Sequence, residues 1–234
     1  ETITAQNVTN YTVNNGIGNP DSAVIDQIET SVVHLYFSNS FTLGSQYTLT
    51  TENVEDISNN TMDTDISGFT YYVVNQYDIV FNEIMADPNP PVFLPDEEYL
   101  EIYNTTPYNL DLKNWTLTVG STDKTIPDVS ISANGYVILC HTDAVGSFSS
   151  YGTVAGISSF PALTNGGTTV TIKNENDSVI STVTYSDTWY QDPAKEDGGW
   201  ALERIDPQNI CGGYSNWKAA ENLNGGTPGT QNSV

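Results

Sequence analysis

Apolar and polar residues alternate along this chain with the two-residue period of half-buried strands, and no segment keeps the 3.6-residue helical period for longer than about two turns. The clearest runs are Val32 to Phe37, Tyr47 to Thr51, Phe69 to Val74, Ile79 to Met85, Tyr99 to Tyr103, Trp115 to Val119, Tyr136 to Cys140, Thr168 to Lys173 and Val179 to Tyr185. Each is short, rich in β-branched and aromatic residues, and bounded by Gly, Asn, Asp or Pro. Asn14 to Pro20 (NNGIGNP) and Ile131 to Tyr136 (ISANGY) supply residues that tolerate positive φ, and Lys173 to Ser178 (KNENDS) joins two alternating runs as a hairpin turn does. Regular short strands with such turns predict an all-β chain built as sandwiches.

A boundary is expected near Asn75 to Asp78, because the stretch before it is rich in Asn and Thr and lacks Trp, whereas all four Trp follow it. The expected domains are therefore 1–76 and 77–234. At 234 residues with 38% hydrophobic content, the chain is long enough for two modules that each bury a core. Composition changes the picture through charge. Six basic residues stand against 29 acidic ones, a formal net charge of −23. Such a field repels phosphate backbones and anionic lipid, which argues against nucleic acid and membrane surfaces as partners. It keeps an exported protein soluble and also attracts cations such as Ca²⁺. No apolar stretch approaches a membrane span, and residues 1–12 have neither the basic start nor the apolar core of a signal peptide. A secreted protein would carry its signal upstream of Glu1.

Candidate chemistry is sparse. No G-x-S-x-G, phosphate-binding loop, HExxH or CxxC occurs. Cys140 and His141 are adjacent, but strand neighbours point to opposite faces and would not share a proton, so a thiol enzyme is not expected. His34, within an alternating run, is expected as a surface or satisfied strand residue. Both a disulfide between Cys140 and Cys211 and two free thiols fit the sequence. Glu83, Asp87, Asp96 and Glu98 bracket the Pro-rich loop PNPPVFLP and form a candidate Ca²⁺ site. Trp189 and Tyr190, in the turn-like SDTWYQDP, are candidate ligand-binding aromatics, since exposed rings stack on sugars. Arg204, between Glu203 and Asp206, is expected to form a structural ion pair.

From about Ile79 onward the sequence resembles the bacterial lamin tail domain family. The resemblance rests on IVFNEIMADPNP (Ile79 to Pro90), EYLEIYN (Glu98 to Asn104), LDLKNWTLTVG (Leu110 to Gly120) and SANGYVILC (Ser132 to Cys140). GGWALERIDP (Gly198 to Pro207), Asn216-Trp217 and GGTPGTQNS (Gly225 to Ser233) are similar to the variant common in Bacteroidetes surface proteins. Residues 1–76 resemble the C-terminal part of a bacterial immunoglobulin-like domain of surface-layer and adhesin proteins, through NYTVNNGIGNPDSA, VVHLYFSNSFTLGSQYTLT and NVEDISNN. The opening strands of that family have no counterpart here, so the N-terminal module is expected to be incomplete. The resemblance implies immunoglobulin-like folds, core positions for Trp115, Trp200 and Trp217, and no catalysis. The expected function is a structural or adhesive module of a cell-surface protein, meeting other surface proteins or glycans. The alternative is a carbohydrate- or Ca²⁺-binding module that targets an attached enzyme.

Overall fold

The computed structural model describes residues 2–234, and the chain divides into two compact units, Glu1–Val73 and Val74–Val234. It is mostly strand, with two four-residue helices, α1 (Thr2–Ala5) and α2 (Val145–Phe148), and a few short 3₁₀ turns. No described helix is long and apolar enough to cross a membrane.

The first unit holds β1 (Tyr11–Val13), β2 (Ser22–Ile25), β3 (Val33–Tyr36), β4 (Gln46–Thr51) and β5 (Asp65–Thr70). They form a three-stranded sheet in the order β1-β4-β5 and a hairpin of β2 with β3. Val13, Ile17 and Tyr47 make its small core, with Phe37, Phe41, Leu49 and Tyr71 packed around them. The aromatics meet edge-on or stacked, Phe41 with Tyr47 at 5.0 Å and with Tyr71 at 5.1 Å, geometries that suit the ring quadrupole. The strand expected over Phe69 to Val74 is displaced upstream to β5, which is exposed along its whole length and is defined by pairing with β4 rather than by burial. His34 is a surface strand residue whose Nε2 lies 2.9 Å from Asp26 Oδ2.

The second unit is the larger sandwich. Its strands are β6 (Ile79–Met85), β7 (Tyr99–Asn104), β8 (Leu110–Asp111), β9 (Thr116–Val119), β10 (Thr122–Thr125), β11 (Ser130–Ile131) and β12 (Tyr136–His141). They continue as β13 (Val154–Ile157), β14 (Thr169–Lys173), β15 (Val179–Thr184), β16 (Leu202–Arg204) and β17 (Trp217–Ala219). A six-stranded sheet runs β13-β12-β7-β6-β16-β17, a four-stranded sheet runs β10-β9-β14-β15, and β8 pairs with β11. All pairs are antiparallel except β12 with β13.

Register decides which side chains meet. Leu100, Ile84 and Leu202 lie side by side on one face of the larger sheet. Leu117, Val119, Val170, Ile172, Ile180, Ser181 and Val183 are the buried positions of the smaller sheet. The other face of the larger sheet carries a second core of Met85, Tyr99, Ile138, Cys140 and Ala201, closed by Leu94 and by Phe148 of α2. Strand β6 is therefore buried on every residue, which is why its sequence reads as a continuous apolar run broken only by Asn82 and Glu83. Trp115 and Trp217 are core residues, as the family resemblance implied. Trp200 differs: it is half-buried, with Lys195 Nζ 4.4 Å above its ring, because the glycine pair before it sets it at the rim.

Candidate functional site

Three glutamates stand in one row across three adjacent strands. Glu101 on β7 pairs with Glu83 on β6, which pairs with Glu203 on β16, so all three side chains leave the same face of the sheet. All three are fully buried. A shift of register between Phe81 and Glu83 sets two residues of β6, Asn82 and Glu83, against Glu101. Asn82 consequently donates to Glu101 Oε1 at 2.8 Å, while Tyr99 donates its hydroxyl proton to Glu83 Oε1 at 2.8 Å.

The other donors to this row come from the C-terminal segment. Thr227 donates its backbone N–H to Glu83 Oε1 at 2.9 Å and its hydroxyl to Glu203 Oε1 at 2.7 Å. Gly229 N–H donates to Glu101 Oε2, and Ser233 donates both N–H and hydroxyl to Glu203 Oε2. Asn232 donates to the carbonyls of Asn82 and Arg204. Glu83 Oε2 is buried without a hydrogen-bond partner. The close approach demands glycine: a Cβ at Gly226 would collide with Glu83 Oε1 and crowd Leu94 and Tyr99. Gly229, at φ +80°, passes against the Tyr151 carbonyl.

Burial, followed by the neighbouring charges of Glu101 and Glu203, holds Glu83 well above the usual carboxylate range. Burial is also the main cause that pushes Glu101 up to about 8, against the lowering effect of its Gly229 and Asn82 hydrogen bonds. Both shifts favour the protonated form, since side-by-side buried charges would cost more than neutral carboxyls. These groups are sealed beneath the chain itself, an arrangement that latches a fold and offers no substrate access.

Of the four residues expected as a cation site, Glu83 belongs to this row, whereas Asp87, Asp96 and Glu98 belong to the loop between β6 and β7 or its margin. Asp96 accepts from Asn89 Nδ2, and Glu98 accepts from Leu163 N–H at 3.0 Å. Burial, and more weakly Asp87, raises Glu98 above its ordinary range. Among the described residues no three His, Cys, Asp or Glu side chains converge to hold a metal ion. Cys140 is buried in the second core and Cys211 is exposed, and both thiols are free. Burial raises the Cys140 thiol to about 11.

Trp189 and Tyr190 part company. Tyr190 is buried, with its phenol pushed up by desolvation, and it borders a different hollow from Trp189. Trp189 is half-buried, 6.1 Å from Trp217, and lines a cavity of about 270 Å³ with Tyr77, Ser181 and Arg204. Arg204 forms no ion pair with Glu203 or Asp206, contrary to expectation. Strand alternation sends Glu203 to the glutamate row and Arg204 to the opposite face, where its Nε donates to the Phe81 carbonyl at 2.6 Å and its guanidinium lies 4.7 Å over Trp217.

Sequence reasoning missed Glu101 and Glu203 as partners of Glu83. The signal was present in FNEIM, YLEIY and ALERI, where a glutamate interrupts an apolar strand; Lys218, across from Glu203 on β17, turns its amine to Glu221 instead.

The second unit is an immunoglobulin-like β-sandwich that buries three of its glutamates beneath its own chain. Residues 73–187 match the lamin tail domain family, and that match ends before β16, β17 and the C-terminal segment. No curated protein matches the chain.

Proposed function

We propose that the chain is a structural and adhesive module of a larger secreted protein, displayed at the surface of a Bacteroidetes-type bacterial cell and serving as spacer and protein-interaction surface. The observation that carries this reading is the sealed glutamate row. The acid–base groups best placed for chemistry are occupied by the segment from Gly226 to Ser233, which ties the end of the unit across three strands. Such a latch suits a domain that must stay folded outside the cell. The charge of −23 further supports exposure to solvent over contact with nucleic acid. Proteolytic shaving of intact producing cells is the test: the protein should be lost from the cells while cytoplasmic markers survive, and protection equal to theirs overturns the proposal.

A second reading, glycan binding, draws on Trp189 at its cavity. Glycan-array signals that vanish in Trp189→Ala would favour it. The Ca²⁺ reading predicts a Tm that rises with millimolar Ca²⁺ and falls with EDTA. An unchanged Tm removes it.

A further inference from the structure

The cavity beside Trp189 opens on a strand edge with free backbone groups. Strand β15 ends the four-stranded sheet, so only β14 pairs with it. Tyr185 N–H donates to Thr168 O on the β14 side, whereas Ile180 O faces away from β14 and accepts from Tyr77 N–H at 2.8 Å. Alternation from Tyr185 then turns the N–H and C=O of Thr182 and Thr184 outward, along the cavity wall. Tyr77, which holds the end of this edge, sits at φ 72°, a conformation that is a genuine outlier for a bulky residue.

The cavity floor carries a second oddity. Arg204 is 6% exposed. Its Nε is satisfied by Phe81 O, yet among the described residues its terminal nitrogens have no hydrogen-bond partner and no carboxylate within 4 Å, Asp206 acting on it only from further off. A chain with 29 acidic residues has buried a guanidinium against Trp217 and left those donors facing a cavity. The Ser181 hydroxyl, on a buried residue facing the sandwich interior, is likewise without a partner. Tyr77, Trp189 and the exposed Ile210 supply apolar walls.

We propose that this cavity receives an extended peptide from a partner protein, which adds as a strand to β15 and places one Asp or Glu side chain on Arg204. The proposal deepens the protein-interaction reading and rests on it. Backbone pairing with Thr182 and Thr184 gives affinity, and the pocket beside the edge gives specificity, the usual division in strand addition. Side chains two residues from the acidic one share its face and meet Tyr77, Trp189 and Ile210, so apolar residues belong there. The chain's strong negative field disfavours a polyanion. A single carboxylate in a neutral, apolar strand is the complement of one buried arginine.

The test uses the full chain and pooled hexapeptides of Val, Ile and Thr carrying one central Glu, beside pools in which that Glu is Gln. Amide NMR should show the Thr182 and Thr184 resonances shifting with the Glu pool, and capture of the Gln pool should be about tenfold weaker, the loss of one charge-assisted hydrogen bond. Arg204→Gln should erase the preference for Glu. Thr182→Pro removes an outward N–H and the exposed Thr171–Thr182 hydroxyl bond while leaving the backbone bonds to β14 intact, so it should abolish capture with Tm little changed. Equal capture of the two pools, no capture at millimolar peptide, or unchanged capture by Thr182→Pro each overturns the proposal. So does displacement of the peptide by glucuronate with Thr182→Pro still binding it, which would make the cavity a sugar-acid site. Surface display, measured by shaving, is decided independently of all these outcomes.

Discussion

At the scale of single residues, Glu83 and Gly226 illustrate how one side chain constrains a distant backbone. Glu83 Oε1 accepts from Tyr99 and Thr227, and Gly226 passes so close that no side chain fits between them. Gly226→Ala is therefore expected to lower the stability of the second unit by about 1–3 kcal/mol, the usual cost of overpacking, seen as a drop in Tm. Nothing in the local sequence GGTPG distinguishes this glycine from a turn glycine, because its constraint comes from a residue more than a hundred positions away. The cysteines give a second prediction at this scale. Cys211 is exposed and Cys140 is buried with a raised thiol, so a maleimide should label one thiol in the native protein and two after denaturation, with or without reductant. Labelling that requires reductant would reveal a bridge. Sequence left this open because it shows neither the depth of β12 nor the exposure of the turn that carries Cys211.

At the scale of elements, the longer strands of the second unit, β6, β7, β9, β12, β14 and β15, were legible from alternation and bounding turns. Ile79 to Met85 was located residue for residue, and the hairpin at KNENDS joins β14 to β15. What escaped were β8, β10, β11, β13, β16 and β17, each only two to four residues long. A three-residue strand holds too few residues to show a period, and its existence depends on the neighbour that supplies its hydrogen bonds. The C-terminal segment is the sharpest case. It has no regular structure of its own, yet it satisfies buried carboxyl groups on three strands. Deleting residues 226–234 should strip those groups of their donors and destabilise the second unit by more than about 3 kcal/mol, since unpartnered buried polar groups are expensive. Chemical denaturation of the truncated and full chains would show this as a fall in the unfolding midpoint. An unchanged midpoint would mean the segment is only a covering.

For the whole molecule, the raised carboxyls predict a stability that improves on mild acidification. Glu83 and Glu101 bind protons more tightly folded than unfolded, so their contribution is fully present below the unfolded value near ~4.3 and is lost as pH rises, for Glu101 through about 8. Each proton held only by the native state gives a slope of up to ~1.4 kcal/mol per pH unit in that window. Asp26 acts in the opposite sense, lowered to about 2 by the Glu29 N–H and the His34 side chain, but its contribution disappears only in stronger acid. Tm measured from pH 8 down to pH 5 should therefore rise. Glu101→Gln should flatten that rise, and a Tm that falls steadily from pH 8 would contradict neutral buried carboxyls.

The sequence by itself determined the fold class and the longer strands, because period-two alternation and turn residues are local signals. Only the tertiary structure decided that Glu83 joins Glu101 and Glu203, that Arg204 turns away from its acidic neighbours, and that Trp189 and Tyr190 face different surroundings. The physical reason is register. Which side chains share a face across strands depends on pairing and on a one-residue bulge, and neither is encoded by the residues next to them.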